Sequence, residues 1–268
     1  MTAIDVWAQQ PNAHFLSQPY FDSLKRWTGN DLDDIPVEVL LAAMDTAGVE
    51  TALLSAWYGP EGPLISNEQV LEVVAAHPQR FQGLASADLR DPVGAVRSLR
   101  RWVGEHGFRG LRIVQWLWEL PPTHALYYPL YAACVELDVP VCLQVGHTGP
   151  LRSSESGRPS HIERVALDFP DLKIVGGHIG YPWTVEMIAV ATKFPNVYID
   201  TSAYVPKRYP PELVAYMKGH GRSKVMFGTN YPMISPQTCM EQLGLLELDP
   251  ETEACFLLGN ARAVFKLD

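Results

Sequence analysis

The stretch Val139-Pro140-Val141-Cys142-Leu143-Gln144-Val145-Gly146-His147-Thr148-Gly149-Pro150 decides how this chain is read. A short apolar run, opened by a proline and closed by glycines and a Gly-Pro pair, has the pattern of a buried strand that ends at a turn. Its end offers two side chains to whatever chemistry lies beyond it, Gln144 or His147. Side chains three positions apart point to opposite faces for as long as a strand lasts. An imidazole at that end suits a metal centre, whereas an amide does not.

Outward from this strand, the same pattern recurs. Runs at 3–7, 51–56, 81–87, 108–114, 139–145, 172–178, 196–200 and 224–229 are short, apolar and rich in β-branched residues. Amphipathic stretches at 37–44, 67–76, 93–105, 126–137, 162–169, 185–194 and 212–218 lie between them, and more helix follows Pro236. Eight strands, each followed by a helix and apolar on both faces, predict an α/β chain folded as a single (β/α)8 TIM barrel over residues 1–268. A doubly wound open sheet is the alternative, but no GxGxxG follows the first strand.

Composition narrows the function. Of the 268 residues 47% are apolar, no run approaches a membrane span and no basic-apolar leader opens the chain, so the sequence reads as soluble and cytoplasmic. A net charge of −9 without a basic cluster argues against nucleic acid. Cys134, Cys142, Cys239 and Cys255 form no CxxC pair and read as small core residues. An apolar outer helix face is compatible with a homodimer.

Barrel enzymes place their chemistry at the C-terminal ends of strands. Here these ends carry Trp7 and Gln9, Trp57, Arg112 with Trp116, Gln144 with His147, His178, Asp200 with Tyr204, and Asn230 with Tyr231. Five of the seven tryptophans, Trp7, Trp57, Trp116, Trp118 and Trp183, fall at or just past strand ends, which predicts an aromatic-walled pocket for a small organic molecule. Long loops at 10–35 and 148–160 read as covers, and Arg152 and Arg158 in the second suggest an anionic substrate, although for either one solvated surface charge is the simpler reading.

The motifs IDVWAQ (4–9), PVCLQVGHTG (140–149), LKIVGGHIGYPW (172–183), FPNVYIDTSAY (194–204) and VMFGTNYP (225–232), taken together, resemble the amidohydrolase-related barrel family, which includes the relatives of aminocarboxymuconate-semialdehyde decarboxylase. The resemblance spans nearly the whole chain and implies hydrolysis or decarboxylation. It also implies a divalent cation held by His-x-His on strand one, a His on each of strands five and six, and an Asp on strand eight. The matching positions here are Trp7-Ala8-Gln9, Gln144, His178 and Asn230. Counting from Pro140 puts Gln144 in the fifth-strand slot and His147 in the loop.

One imidazole among three neutral amides is a poor cation site, so the expectation is no metal and no cofactor. His178 then becomes the leading acid–base group and His147 the second. Gln9, Gln144 and Asn230 form a hydrogen-bonding cradle, and Asp200 either orients an imidazole or caps the turn at 201–202. Trp7, Trp57, Arg112, Trp116, Tyr204 and Tyr231 are assigned to substrate binding. Three readings follow: a metal-independent acid–base enzyme acting on a cyclic or aromatic molecule, with or without a carboxylate, by hydrolysis, decarboxylation, dehydration or cyclisation; a conventional metal-dependent hydrolase or decarboxylase; and a binding pseudoenzyme.

Overall fold

In the computed structural model, residues 2–29 and 35–267 are described. Residues 30–34, part of the first expected cover, lie outside the described residues. Eight parallel strands form the centre: β1 (Ala3–Ala8), β2 (Val49–Ser55), β3 (Phe81–Leu84), β4 (Leu111–Ile113), β5 (Val141–Gln144), β6 (Ile174–Gly177), β7 (Val197–Asp200) and β8 (Val225–Met226). They pair as β1-β2-β3 and as β8-β7-β6-β5-β4. Bridges at Ala85–Leu111 and Ala8–Tyr231 join the two sheets into one ring.

The helices fall where the periodicity places them. Val37–Ala47, Asn67–Ala76, Pro92–His106, Tyr128–Leu137, Pro159–Asp168, Thr184–Lys193 and Pro211–Lys218 follow their strands. Side chains such as Leu40, Leu99, Leu130, Val165, Val190 and Leu213 pack in the core cluster that holds the outward strand residues. The last helix, Asn260–Phe265, closes the N-terminal end of the barrel, where Val264 and Phe265 pack on Ile4, Leu53 and Val175.

Three elements differ from the sequence-based expectation. A hairpin, Trp57–Gly59 with Gly62–Ile65, follows β2, because the Pro-Glu-Gly turn at 60–62 reverses the chain. A short helix, Gln115–Trp118, follows β4. β8 is two residues long because its continuation leaves the ladder: Phe227 N–H bonds Phe256 O, and Thr229 N–H bonds Asp5 Oδ1, both at 3.0 Å.

Strand parity fixes what faces the barrel interior. On β5, Val141 and Leu143 join the outer core cluster while Cys142 joins the inner one, so Gln144 lies on the inner face. Gly146 (φ +88°) then turns the chain where a Cβ would sit 2.3 Å from Tyr181 O, and His147 is carried into the loop. On β4 the same alternation sends Arg112 inward between Leu111 and Ile113.

Trp7 also turns inward, across an irregularity in the β1–β2 register between Asp5 and Ala8. Its indole needs the space beside Gly177, where a Cβ would lie 2.4 Å from Trp7 Cζ3. Gly177→Ala is therefore expected to destabilise the protein by about 1–3 kcal/mol through overpacking against a rigid ring. A denaturant midpoint unchanged from wild type would show that the indole is not confined there.

Candidate active site

At the C-terminal ends of the strands lies a cavity walled by Phe15, Phe21, Trp57 and Trp116. Their rings interlock edge to face: Phe15 meets Trp57 at 5.1 Å, and Trp57 meets Trp116 at 5.9 Å between centroids. The two indole N–H groups are used within the wall, Trp57 donating to Ser55 Oγ at 3.2 Å and Trp116 to Gln144 Oε1. The faces left over are apolar. Segments Ala13–Leu16 and Asp22–Thr28, inside the first expected cover, bring Phe15, Leu24 and Lys25 to the cavity; Gly149 and Pro150 come from the second.

Gln9, Gln144, His147, His178 and Asn230 all border this cavity, as do Trp57, Trp116 and Tyr204. Gln144 is buried and steadied by Trp116, and its Nε2 donates to His147 O at 3.3 Å. His147 is exposed above it, with its backbone N–H bonded to Tyr181 O. Gln9 donates from Nε2 to Asn230 Oδ1 at 3.1 Å, and its Oε1 is buried with no partner among the described residues. Gln9 and Asn230 are thus bonded to each other, Gln144 is held by Trp116 and His147, and the Gln9 oxygen is left over as an acceptor.

His178 is a buried polar part of the lining. It is 5% exposed, and its Nδ1 lies 2.7 Å from Ser202 Oγ. Burial, and next to it the Arg112 guanidinium, push its pKa down to about 3, so the ring is neutral at physiological pH. His178, Ala203 and Asn230 all border the cavity with positive φ, at 68°, 66° and 65°. Side chains held in this sparsely populated region cluster at functional sites.

Four residues assigned to the pocket lie outside its lining. Trp7 is buried beneath it, touching the His178 ring at 4.8 Å, because Gly177 opens room inside the barrel. Arg112 is fully buried against Trp7, its Cζ 3.2 Å from the indole centroid, rather than at the barrel mouth. Its three guanidinium nitrogens have no hydrogen-bond partner among the described residues, and burial lowers its pKa to about 10. Asp200 is buried behind Ser202, and burial raises its pKa to about 6 against the hydrogen bonds from Ser202. Tyr231 contributes its backbone carbonyl, which accepts from Gln9, and not its ring.

The cover arginines are surface groups: Arg152 pairs with Glu119 at 3.3 Å and Arg158 with Glu186 at 3.7 Å. The cation that does border the cavity is Lys25, which no strand-end argument reaches. The link from Ser202 to His178 was equally invisible: Asp200 is its neighbour in the chain, but only the fold brings the imidazole to it.

Among the described residues no three His, Cys, Asp or Glu side chains converge as a metal cage. The donor set fits a divalent cation poorly on chemical grounds too. One buried imidazole stands among neutral amides while the other lining imidazole, His147, is exposed on its loop; an indole stands at the first ligand position, and a buried guanidinium packs against that indole.

The profile of the amidohydrolase family matches residues 4–267. The γ-resorcylate decarboxylase of Rhodococcus jostii is 25% identical over 324 aligned positions, covering 96% of this chain and 94% of its own. An uncharacterised TIM-barrel protein of Bordetella bronchiseptica superposes with a TM-score of 0.87 at 25% identity, over 99% of both chains. A dihydroxybenzoic acid decarboxylase of Polaromonas, solved with bound manganese and the inhibitor 2-nitroresorcinol, gives a TM-score of 0.78 at 21% identity, covering 99% of this chain and 96% of its own.

Proposed function

Because this chain belongs to the amidohydrolase family, we propose that it is a lyase that decarboxylates a ring-bearing carboxylic acid, with His178 as its proton-handling group. The observation that carries this reading is a buried, neutral imidazole at the floor of a cavity with aromatic walls, at the C-terminal end of the barrel. The walls offer ring faces for stacking a planar molecule, and Lys25 and His147 border the same space as basic groups for an anionic substituent. Gln9 and Gln144 add hydrogen bonds that fix one orientation. Decarboxylation needs no water as a reactant, which suits apolar walls better than hydrolysis does. The γ-resorcylate decarboxylase relatives support the same choice.

The finer question is the metal. The manganese in the Polaromonas enzyme favours the metal-dependent alternative. The residues of this chain argue the other way. Bound at this position, a divalent cation would act as a Lewis acid on the substrate's carboxylate or hydroxyl oxygens. Of the family's ligand positions only His178 offers a metal-binding side chain, and no other His, Cys, Asp or Glu joins it in a cage among the described residues. We therefore carry the reaction on the protein's own groups.

Incubating the purified protein with hydroxybenzoates labelled with ¹³C in the carboxyl group, 2,6-dihydroxybenzoate among them, tests the proposal. Release of ¹³CO₂ with formation of the matching phenol is the expected result. Binding by calorimetry with no release from any member of the series would overturn decarboxylation and favour the binding-protein reading.

A further inference from the structure

Ser202 lies between a carboxylate and an imidazole. Its Oγ stands 2.7 Å from His178 Nδ1 and donates to Asp200 Oδ1, which also accepts the Ser202 backbone N–H at 2.9 Å. All three residues are buried, Asp200 and Ser202 completely. A serine hydroxyl has a single hydrogen and a carboxylate has none to give. While that hydrogen is directed at Asp200, Ser202 Oγ meets His178 only with lone pairs. The hydrogen shared between them must then belong to Nδ1.

A neutral imidazole carries one ring hydrogen, so Nε2 is left bare. We infer that Asp200, acting through Ser202, is a positioning residue that locks His178 as its Nδ1–H tautomer and presents the Nε2 lone pair to the cavity. The left-handed backbone at His178 (φ +68°) and the Asp200–Ser202 turn hold both ends of the relay in register. A carboxylate that orients a catalytic imidazole is usually bonded to it directly; here a hydroxyl is interposed. In catalytic terms, which rest on the proposed function, Nε2 takes the proton of an acidic O–H of the bound molecule and delivers it to the ring carbon as the bond to the carboxylate breaks, leaving CO₂ and the matching phenolate. The imidazolium so formed keeps its Nδ1–H on Ser202.

Long-range ¹H–¹⁵N correlation spectra of the resting protein at pH 8 read the tautomer without any substrate, the His178 signals being assigned by their loss in His178→Gln. The expected spectrum has Nδ1 in the pyrrole-like range and Nε2 in the pyridine-like range. Ser202→Ala should convert this to a mixture or to the Nε2–H form, and Ser202→Thr should restore it. An Nε2–H tautomer in the wild type would overturn the inference whether or not any variant folds, and so would an unchanged Nδ1–H signal in a folded Ser202→Ala. Failure of the decarboxylation assay leaves this measurement untouched, so the two claims stand or fall separately.

Discussion

Replacing His178 with glutamine is expected to lower the rate of product release about 10²- to 10⁴-fold, the usual worth of a positioned acid–base group, while substrate binding changes little. The walls that grip the substrate are built from Phe15, Phe21, Trp57 and Trp116, none of which depends on the imidazole. The proton, by contrast, loses its buried carrier, because Gln9, Gln144 and Asn230 are amides and the other lining imidazole, His147, is exposed on its loop. A pH signature accompanies the loss. With its pKa near 3, His178 stays in its neutral form far below the usual histidine range, so its protonation should not inhibit the wild type between pH 8 and 5.

Linkage gives the same change a second readout. A histidine whose folded-state pKa lies below its unfolded value is protonated first in the unfolded chain. It therefore costs stability as pH falls from about 6.5 towards 3. Across that window His178→Gln should gain stability relative to the wild type. Urea midpoints at several pH values measure the difference, and a difference independent of pH would place the imidazole in solvent.

Trp7→Ala is expected to cost on the order of 3–5 kcal/mol of folding stability, the range for deleting a buried aromatic side chain. The indole is 1% exposed, covers the Arg112 guanidinium and fills the space that Gly177 leaves beside it. Removing it opens a void and uncovers a buried cation that has no hydrogen-bond partner among the described residues. Trp7→Phe, which keeps a ring face over Arg112, should lose less. Equilibrium denaturation of the two variants checks the order, and a Trp7→Ala variant as stable as wild type would mean that Trp7 does not brace the barrel interior.

Much of this architecture was legible in the chain. Eight apolar runs and their intervening helices map onto the eight strands and their partners, because period-2 and period-3.6 patterns survive wherever one face must be buried. The offset from Pro140 put Gln144 at the end of β5 and His147 beyond it, and parity with Cys142 turns Gln144 inward. Trp7 and Arg112 were misplaced for a common reason. A strand-end position says which end of the barrel a side chain occupies, not how deep it reaches; for Trp7 the depth is set by the missing side chain of Gly177, and Arg112 packs on the indole so placed. The sequence offers Ser202 only as part of the turn that Asp200 caps, because its contact with His178 is distant in the chain, and Lys25 gave no signal, since it sits on a short helix of the cover.

We propose that amides fill the family's ligand positions around the cavity, above an indole packed on a buried guanidinium, leaving His178 to move the proton. The most direct test is the metal content of protein purified without chelator, followed by titration with Mn(II) read by electron paramagnetic resonance. No retained manganese or zinc, no tight Mn(II) binding and product release unaffected by chelation are expected. One equivalent of metal per chain, lost on chelation together with activity and regained on adding Mn(II), would contradict it.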